Sequence, residues 1–166
     1  SVFDLYSQPP RKDIWSSGFE TFDSYISGGF AKKECVSVLS ATGRGKTSLL
    51  CNFAVSALRQ GLNVSFVTLE MSENIIQQRT DAILSGASID MIASNTEIQQ
   101  DVLKQRMKLS NRGASYVVKY FPRGTLSIEA LTTYYDRYAM DYGYYPDVAI
   151  VDWLGCLKLS GDLDKK

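Results

Sequence analysis

Residues 40–48 read SATGRGKTS, and Gly43-Arg44-Gly45-Lys46-Thr47 within them has the composition of a loop that holds a chain of phosphates. Backbone N–H groups must point inward to reach phosphate oxygens, and that requires a loop with little Cβ bulk, which Gly43 and Gly45 supply. A helix starting where the loop ends adds the positive end of its dipole. The Lys46 ammonium suits β- and γ-phosphate oxygens, and the Thr47 hydroxyl suits a Mg²⁺ ion. The expected nucleotide-binding set is therefore Ser40, Ala41, Thr42, Gly43, Arg44, Gly45, Lys46, Thr47 and Ser48, with ATP and Mg²⁺ as the cofactors. One position departs from the usual GxxxxGK[ST] pattern: Ser40 stands where glycine is customary. The competing reading, a chance Gly-Lys-Thr in a turn, is disfavoured by the strand–loop–helix context.

Two carboxylates have the right setting to work with that loop. Asp152 follows the four apolar residues VAIV, and an acid at the end of such a strand can hold magnesium and its water shell. Glu70 ends the run SFVTLE and could polarise a water that attacks the γ-phosphate; equally, it could be an acid favoured at a helix start by the dipole. Arg79 and Arg123 read first as solvated or ion-paired surface residues. The tyrosines at 134, 135, 138, 142, 144 and 145 could stack bases, but their i, i+4 spacing favours packing or a subunit contact.

The elements needed to position these residues can be read along the chain. Residues 1–17, polar and broken by Pro9 and Pro10, read as an arm or linker, with a compact domain from Gly18 onward, over 18–166. Residues 34–39 (ECVSVL) form an apolar, β-rich run just before the loop. Helical spacing of Leu49, Leu50, Phe53, Ala57 and Leu58 predicts a helix over 46–60, with Gly61 at its end. Strands are expected at 63–69, 115–121 and 148–151. Helices are expected from Ser72 to about Ser85 ahead of Gly86, from a Thr96-x-x-Gln99 capping box to 111–113, and over 127–141. This alternation predicts an α/β fold with a mostly parallel sheet covered on both faces. Ligands in such sheets bind beyond the carboxyl ends of the strands, where both the loop and Asp152 fall.

Composition narrows the chemistry further. The 166 residues contain no histidine, which removes Ser-His-Asp and Cys-His mechanisms and most metal chemistry. Eighteen basic and eighteen acidic residues cancel, against a dedicated, strongly basic nucleic-acid module. Cys35, Cys51 and Cys156 lie far apart inside apolar runs, so buried small hydrophobes in a reducing compartment are expected. No run is long and apolar enough for a membrane span, and the N-terminus lacks a signal-peptide pattern, so the expectation is a protein of the cytoplasm with no membrane partner.

Taken together, GFETFDSYISGGF, the phosphate loop, TLEMSENIIQQRTDAILSG, YVVKYFPRG and VAIVDWLGCLKLSG resemble the DnaB family of hexameric replicative helicases, most of all its members from T-even-type bacteriophages. The likeness runs from Leu5 to Gly161. It implies a RecA-type P-loop three-layer sandwich that is incomplete on its C-terminal side. It also implies that Lys46 and Glu70 are catalytic and that Thr47 and Asp152 belong to the metal site. Arg79 matches a family arginine after LEMS without an assigned role. The resemblance further implies single-stranded DNA, a homo-hexameric ring, a primase and a helicase loader as partners of the intact protein. A collar domain, channel loops, a γ-phosphate sensor and an arginine finger are expected outside these residues. Two other classes compete: a RecA/RadA-type recombinase or related ATP-switch protein on the same core, and a small-molecule P-loop kinase, for which no lid signature is evident.

Overall fold

A computed structural model describes residues 13–41 and 43–158. Its centre is a three-stranded parallel sheet made of β3 (Val64–Thr68), β4 (Tyr116–Tyr120) and β5 (Val148–Asp152), in the order β4-β3-β5. All five residues of β3 are buried, because it has a neighbour on each side and a layer on each face. Period-two alternation sorts those side chains. Val64 and Phe66 join the larger core with Cys51, Ala54, Leu58, Ile76 and Ile150, under α2 (Lys46–Arg59) and α3 (Glu73–Ser85). Val67 and Leu69 face the opposite way, to Leu131, Tyr134 and Tyr135 of α6 (Ile128–Tyr142). Three layers result: α2 and α3, the sheet, and α6. Full burial of one such side chain stabilises by about 1.5–3 kcal/mol.

Local sequence accounts for where these elements stop and start. The fourteen residues of α2 contain neither glycine nor proline, and Gly61, at φ 83°, turns the chain out of it. Gly86 and Gly143 end α3 and α6 in the left-handed conformation that a side chain disfavours. The Ser127 hydroxyl accepts from Ala130 N and caps α6. α5 (Thr96–Asn111) is capped one residue earlier than the expected capping box: the Asn95 side chain accepts from Glu97 N and Ile98 N, while Gln99 turns away to donate to the Ile92 and Ala93 carbonyls. The short α4 (Ile89–Ser94) and α1 (Glu20–Tyr25) were not foreseen; at six residues each they carry too little periodicity to read.

Residues 13–17 belong to the packed body and not to an arm. β1 (Ile14–Trp15) pairs antiparallel with β2 (Phe30–Ala31), and Ser17 is fully buried. The Ser16 hydroxyl and Ser17 N–H both donate to the Asp23 carboxylate, and the Phe30 ring packs against those of Trp15 and Phe53 with centroids 4.8 and 5.0 Å away. The rest of the expected arm, 1–12, lies outside the described residues, as do Thr42 and 159–166.

The run at 34–39 differs from expectation. It is extended but has no place in the sheet, and Val36 and Leu39 are exposed. A strand needs a hydrogen-bonded neighbour as well as β-rich composition. The nearest candidate, β5, lies across a groove of about 370 Å³ that both segments line. Cys35 is exposed in consequence, while Cys51 and Cys156 are buried. Burial also pushes the Cys51 thiol up to about 11. At pH 8 a disulfide-exchange reagent is therefore expected to label one thiol rapidly, at Cys35, with the other two reacting only on unfolding. Three fast equivalents on the native chain would contradict this placement.

The tyrosine run packs as its spacing suggested. Tyr134, Tyr135, Tyr138, Tyr142 and Tyr144 form a chain of ring contacts with centroids 4.4–6.4 Å apart, and Tyr138 is 2% exposed. Burial pushes the Tyr135 hydroxyl up to about 12, as expected for a core phenol. Among the described residues no helix is long and apolar enough to cross a membrane.

Candidate functional site

Parallel pairing sets the frame of the site. Thr68 of β3 stands in register with Asp152 of β5, and the Leu69 N–H donates to the Asp152 carbonyl, so both strands end at one edge. α2 packs on β5 and β3 with its first residue, Lys46, at that edge. The segment 40–45 supplies the turn into it.

Two glycines make that turn possible. Gly43 sits at φ 74° and Gly45 at φ 84°, in the left-handed region, and nothing lies within 4 Å of where a Cβ would stand at either. The glycines are needed for the backbone, and the space over them is open. Gly45 is also the N-cap residue of α2 and offers no capping side chain. The first N–H groups of a helix have no partner within it, so here they remain available to an anion.

The side chains expected around the loop are brought together in part. The Lys46 ammonium donates to the Ser40 carbonyl at 3.0 Å and sits 5.6 Å from the centre of the Trp153 ring. The Thr47 hydroxyl donates to Asp152 Oδ2 at 2.6 Å, joining residues 105 apart in sequence. Asp152 is only 2% exposed, so this bond is a main means of satisfying a buried carboxylate. Arg79 donates to the Ser48 hydroxyl at 3.3 Å, which ties α3 to the first turn of α2. The charges of Arg79 and Asp152 are both felt at Cys51, one helical turn below: burial dominates its upward shift, Arg79 opposes it and Asp152 adds to it.

Glu70 lies exposed in the bend after β3, one strand over from Asp152. It stands outside the first turn of α3, where the acid is Glu73; the Glu73 carboxylate accepts from Tyr120 N at 3.0 Å and lies 3.7 Å from Lys119. Arg123 is exposed in the turn after β4, and among the described residues no hydrogen bond joins it to the loop. Two features escaped the sequence reading: the Arg79–Ser48 bond and the Trp153 ring beside Lys46. The second had a visible signal, a tryptophan directly after the acid in VDW.

The donor set fits a magnesium-bound triphosphate. Backbone N–H groups at a helix start, an ammonium and a hydroxyl beside a carboxylate are what such a ligand needs. Among the described residues no group of three or more His, Cys, Asp or Glu side chains could cage a metal. Mg²⁺ needs no such cage, since it binds through one or two carboxylates together with substrate phosphates and water.

Comparison with known proteins agrees with this geometry. Residues 15–166 match the family described as DnaB-like helicase C terminal domain. The chain is 30% identical over 138 residues to the DnaB-like replicative helicase of Enterobacteria phage T4, covering 80% of this chain and 29% of that protein. It is 30% identical over 120 residues to the replicative DNA helicase DnaB of Mycoplasma genitalium, covering 70% of this chain and 25% of that protein. It thus spans less than a third of the length of either relative. Among solved structures, the ATPase domain of a helicase superposes with a TM-score of 0.71 at 16% identity, over 98% of this chain and 57% of that one; this likeness shows the fold, a RecA-like ATPase core. On the family match over residues 15–166, the chain belongs to the DnaB-like helicase C-terminal domain family.

Proposed function

We propose that this chain is the nucleotide-binding part of an ATP-driven replicative DNA helicase. The observation that carries the reading is the Thr47–Asp152 bond, which sets a hydroxyl and a carboxylate together at 2.6 Å beside the loop bearing Lys46. Magnesium, when bound, neutralises phosphate charge. In this chain Thr47 and Asp152 hold it, the loop N–H groups and Lys46 bind the phosphate oxygens, and the two glycines let the backbone approach closely. Glu70 orients the attacking water. The helix-start alternative for Glu70 loses support because Glu73 already occupies the first turn of α3.

In the whole protein this site would drive translocation along single-stranded DNA within a homo-hexameric ring. The recombinase reading shares the loop and Asp152, but nothing in the geometry favours it.

The test is titration of a fluorescent ATP analogue with Mg²⁺ or with EDTA, with and without single-stranded DNA. Binding that requires Mg²⁺ and ignores DNA is the expected result for this chain. Equal binding in EDTA would remove Thr47 and Asp152 from the metal's shell. In a longer form of the protein, strand displacement is expected; joint-molecule formation without unwinding would move the assignment to the recombinases.

A further inference from the structure

We propose that Trp153 is a positioning residue for Lys46, its indole face holding the ammonium at the phosphate loop, and that Gly155 is present so that the ring can lie there. The proposal rests on the reading of the loop as a nucleotide site. Lys46 Nζ stands 5.6 Å from the ring centroid, within the range over which an aromatic face attracts a cation. Trp153 is a member of neither core cluster and keeps 41% of its surface exposed, so core packing does not account for a large ring at this position.

Gly155 supplies an independent observation. Its φ is outside the left-handed region, so its backbone would accept any residue. A Cβ built on it, however, would overlap Cζ3, Cη2 and Cε3 of the Trp153 ring. The glycine therefore answers a need for space and not for conformation, and what fills that space is the indole. The turn that carries both residues is anchored: Cys156 is buried, its N–H donates to the Trp153 carbonyl at 3.0 Å, and its carbonyl accepts from Gly124 N at 2.8 Å. The ring thus rests on a fixed platform beside the loop.

The consequence for Lys46 follows from its chemistry. An ammonium has three donors on a flexible four-carbon stem. One donor is used by the Ser40 carbonyl. The ring face attracts the charge without an acceptor atom that fixes a donor, so phosphate oxygens can still be met. Confining the stem beforehand reduces the rotamer freedom lost on binding.

The experiment has two arms. The chain holds two tryptophans, so Trp15→Phe leaves Trp153 as the sole indole emitter. In that background, Lys46→Met and Gly155→Ala are each expected to change the emission without any nucleotide; unchanged emission in both overturns the contact. In the second arm, Trp153→Leu and Gly155→Ala are expected to weaken Mg²⁺-dependent binding of a fluorescent ATP analogue about two- to fivefold, and an ADP analogue less, while Trp153→Tyr retains it. Thermal melts of each variant separate this from unfolding. If the parent chain binds and Trp153→Leu matches it, the role of Trp153 falls while the nucleotide reading stands. If the parent binds no nucleotide, both fall.

Discussion

Lys46→Ala is expected to remove nucleotide binding and leave the fold intact. The lysine side chain is half-buried at the first position of α2, and its contacts are the exposed Ser40 carbonyl and the half-exposed Trp153 ring. Neither is a buried group that would be stranded by truncation, and alanine is the best helix former for the vacated position. Stability should therefore change by no more than about 0.5 kcal/mol. Binding is a different matter, because the ammonium is the one full positive charge that the loop helix itself directs at the site. Losing charge-assisted hydrogen bonds to phosphate costs on the order of 10²–10³-fold in affinity. A titration with the ATP analogue and a circular-dichroism melt, run on the same preparation, check both halves. A variant that binds like the parent, or one that no longer melts cooperatively, would contradict the assignment.

The parts of this molecule that could be read from sequence are those fixed by local pattern. The strands at 64–68, 116–120 and 148–152 are β-branched or aromatic runs bounded by polar or turn residues, and each expected position was right to within a residue or so at its ends. The long helices α2, α3, α5 and α6 carry enough turns for their apolar spacing to register, and glycine marks three of the four ends closely. Failures arose where a partner distant in sequence decides. Residues 34–39 have strand composition but no bonded neighbour, and residues 13–17 look like a polar arm until β2 and Asp23 hold them. The cap of α5 was misread because Asn95 and Thr96 are both good capping residues and side-chain geometry chooses between them. For the site, the loop and both carboxylates announced themselves by type and spacing. The Arg79–Ser48 bond and the Trp153–Lys46 contact did not, since each joins residues at least 31 apart across two elements.

Glu70→Gln is expected to leave nucleotide binding unchanged and to lower turnover by about 10²–10⁴-fold in a longer form of the protein that hydrolyses ATP. The substitution keeps the volume and removes only the negative charge and the basicity, so any loss reports on chemistry. Binding should survive because Glu70 lies on β3's side of the edge, outside residues 40–48 and away from the Thr47–Asp152 pair. Folding should survive because the side chain is exposed and the first turn of α3 keeps its own acid, Glu73, held by Tyr120 N and Lys119. Glu73→Gln supplies the matching control: it alters an acid three residues away that is engaged structurally, and its effect should appear in the melt while turnover stays near the parent's. If Glu70→Gln hydrolyses ATP as the parent does, the water is oriented by another group. If Glu70→Gln and Glu73→Gln lower turnover equally, the loss comes from the bend and helix start as a unit, and the carboxylate of Glu70 has no separate part in the reaction.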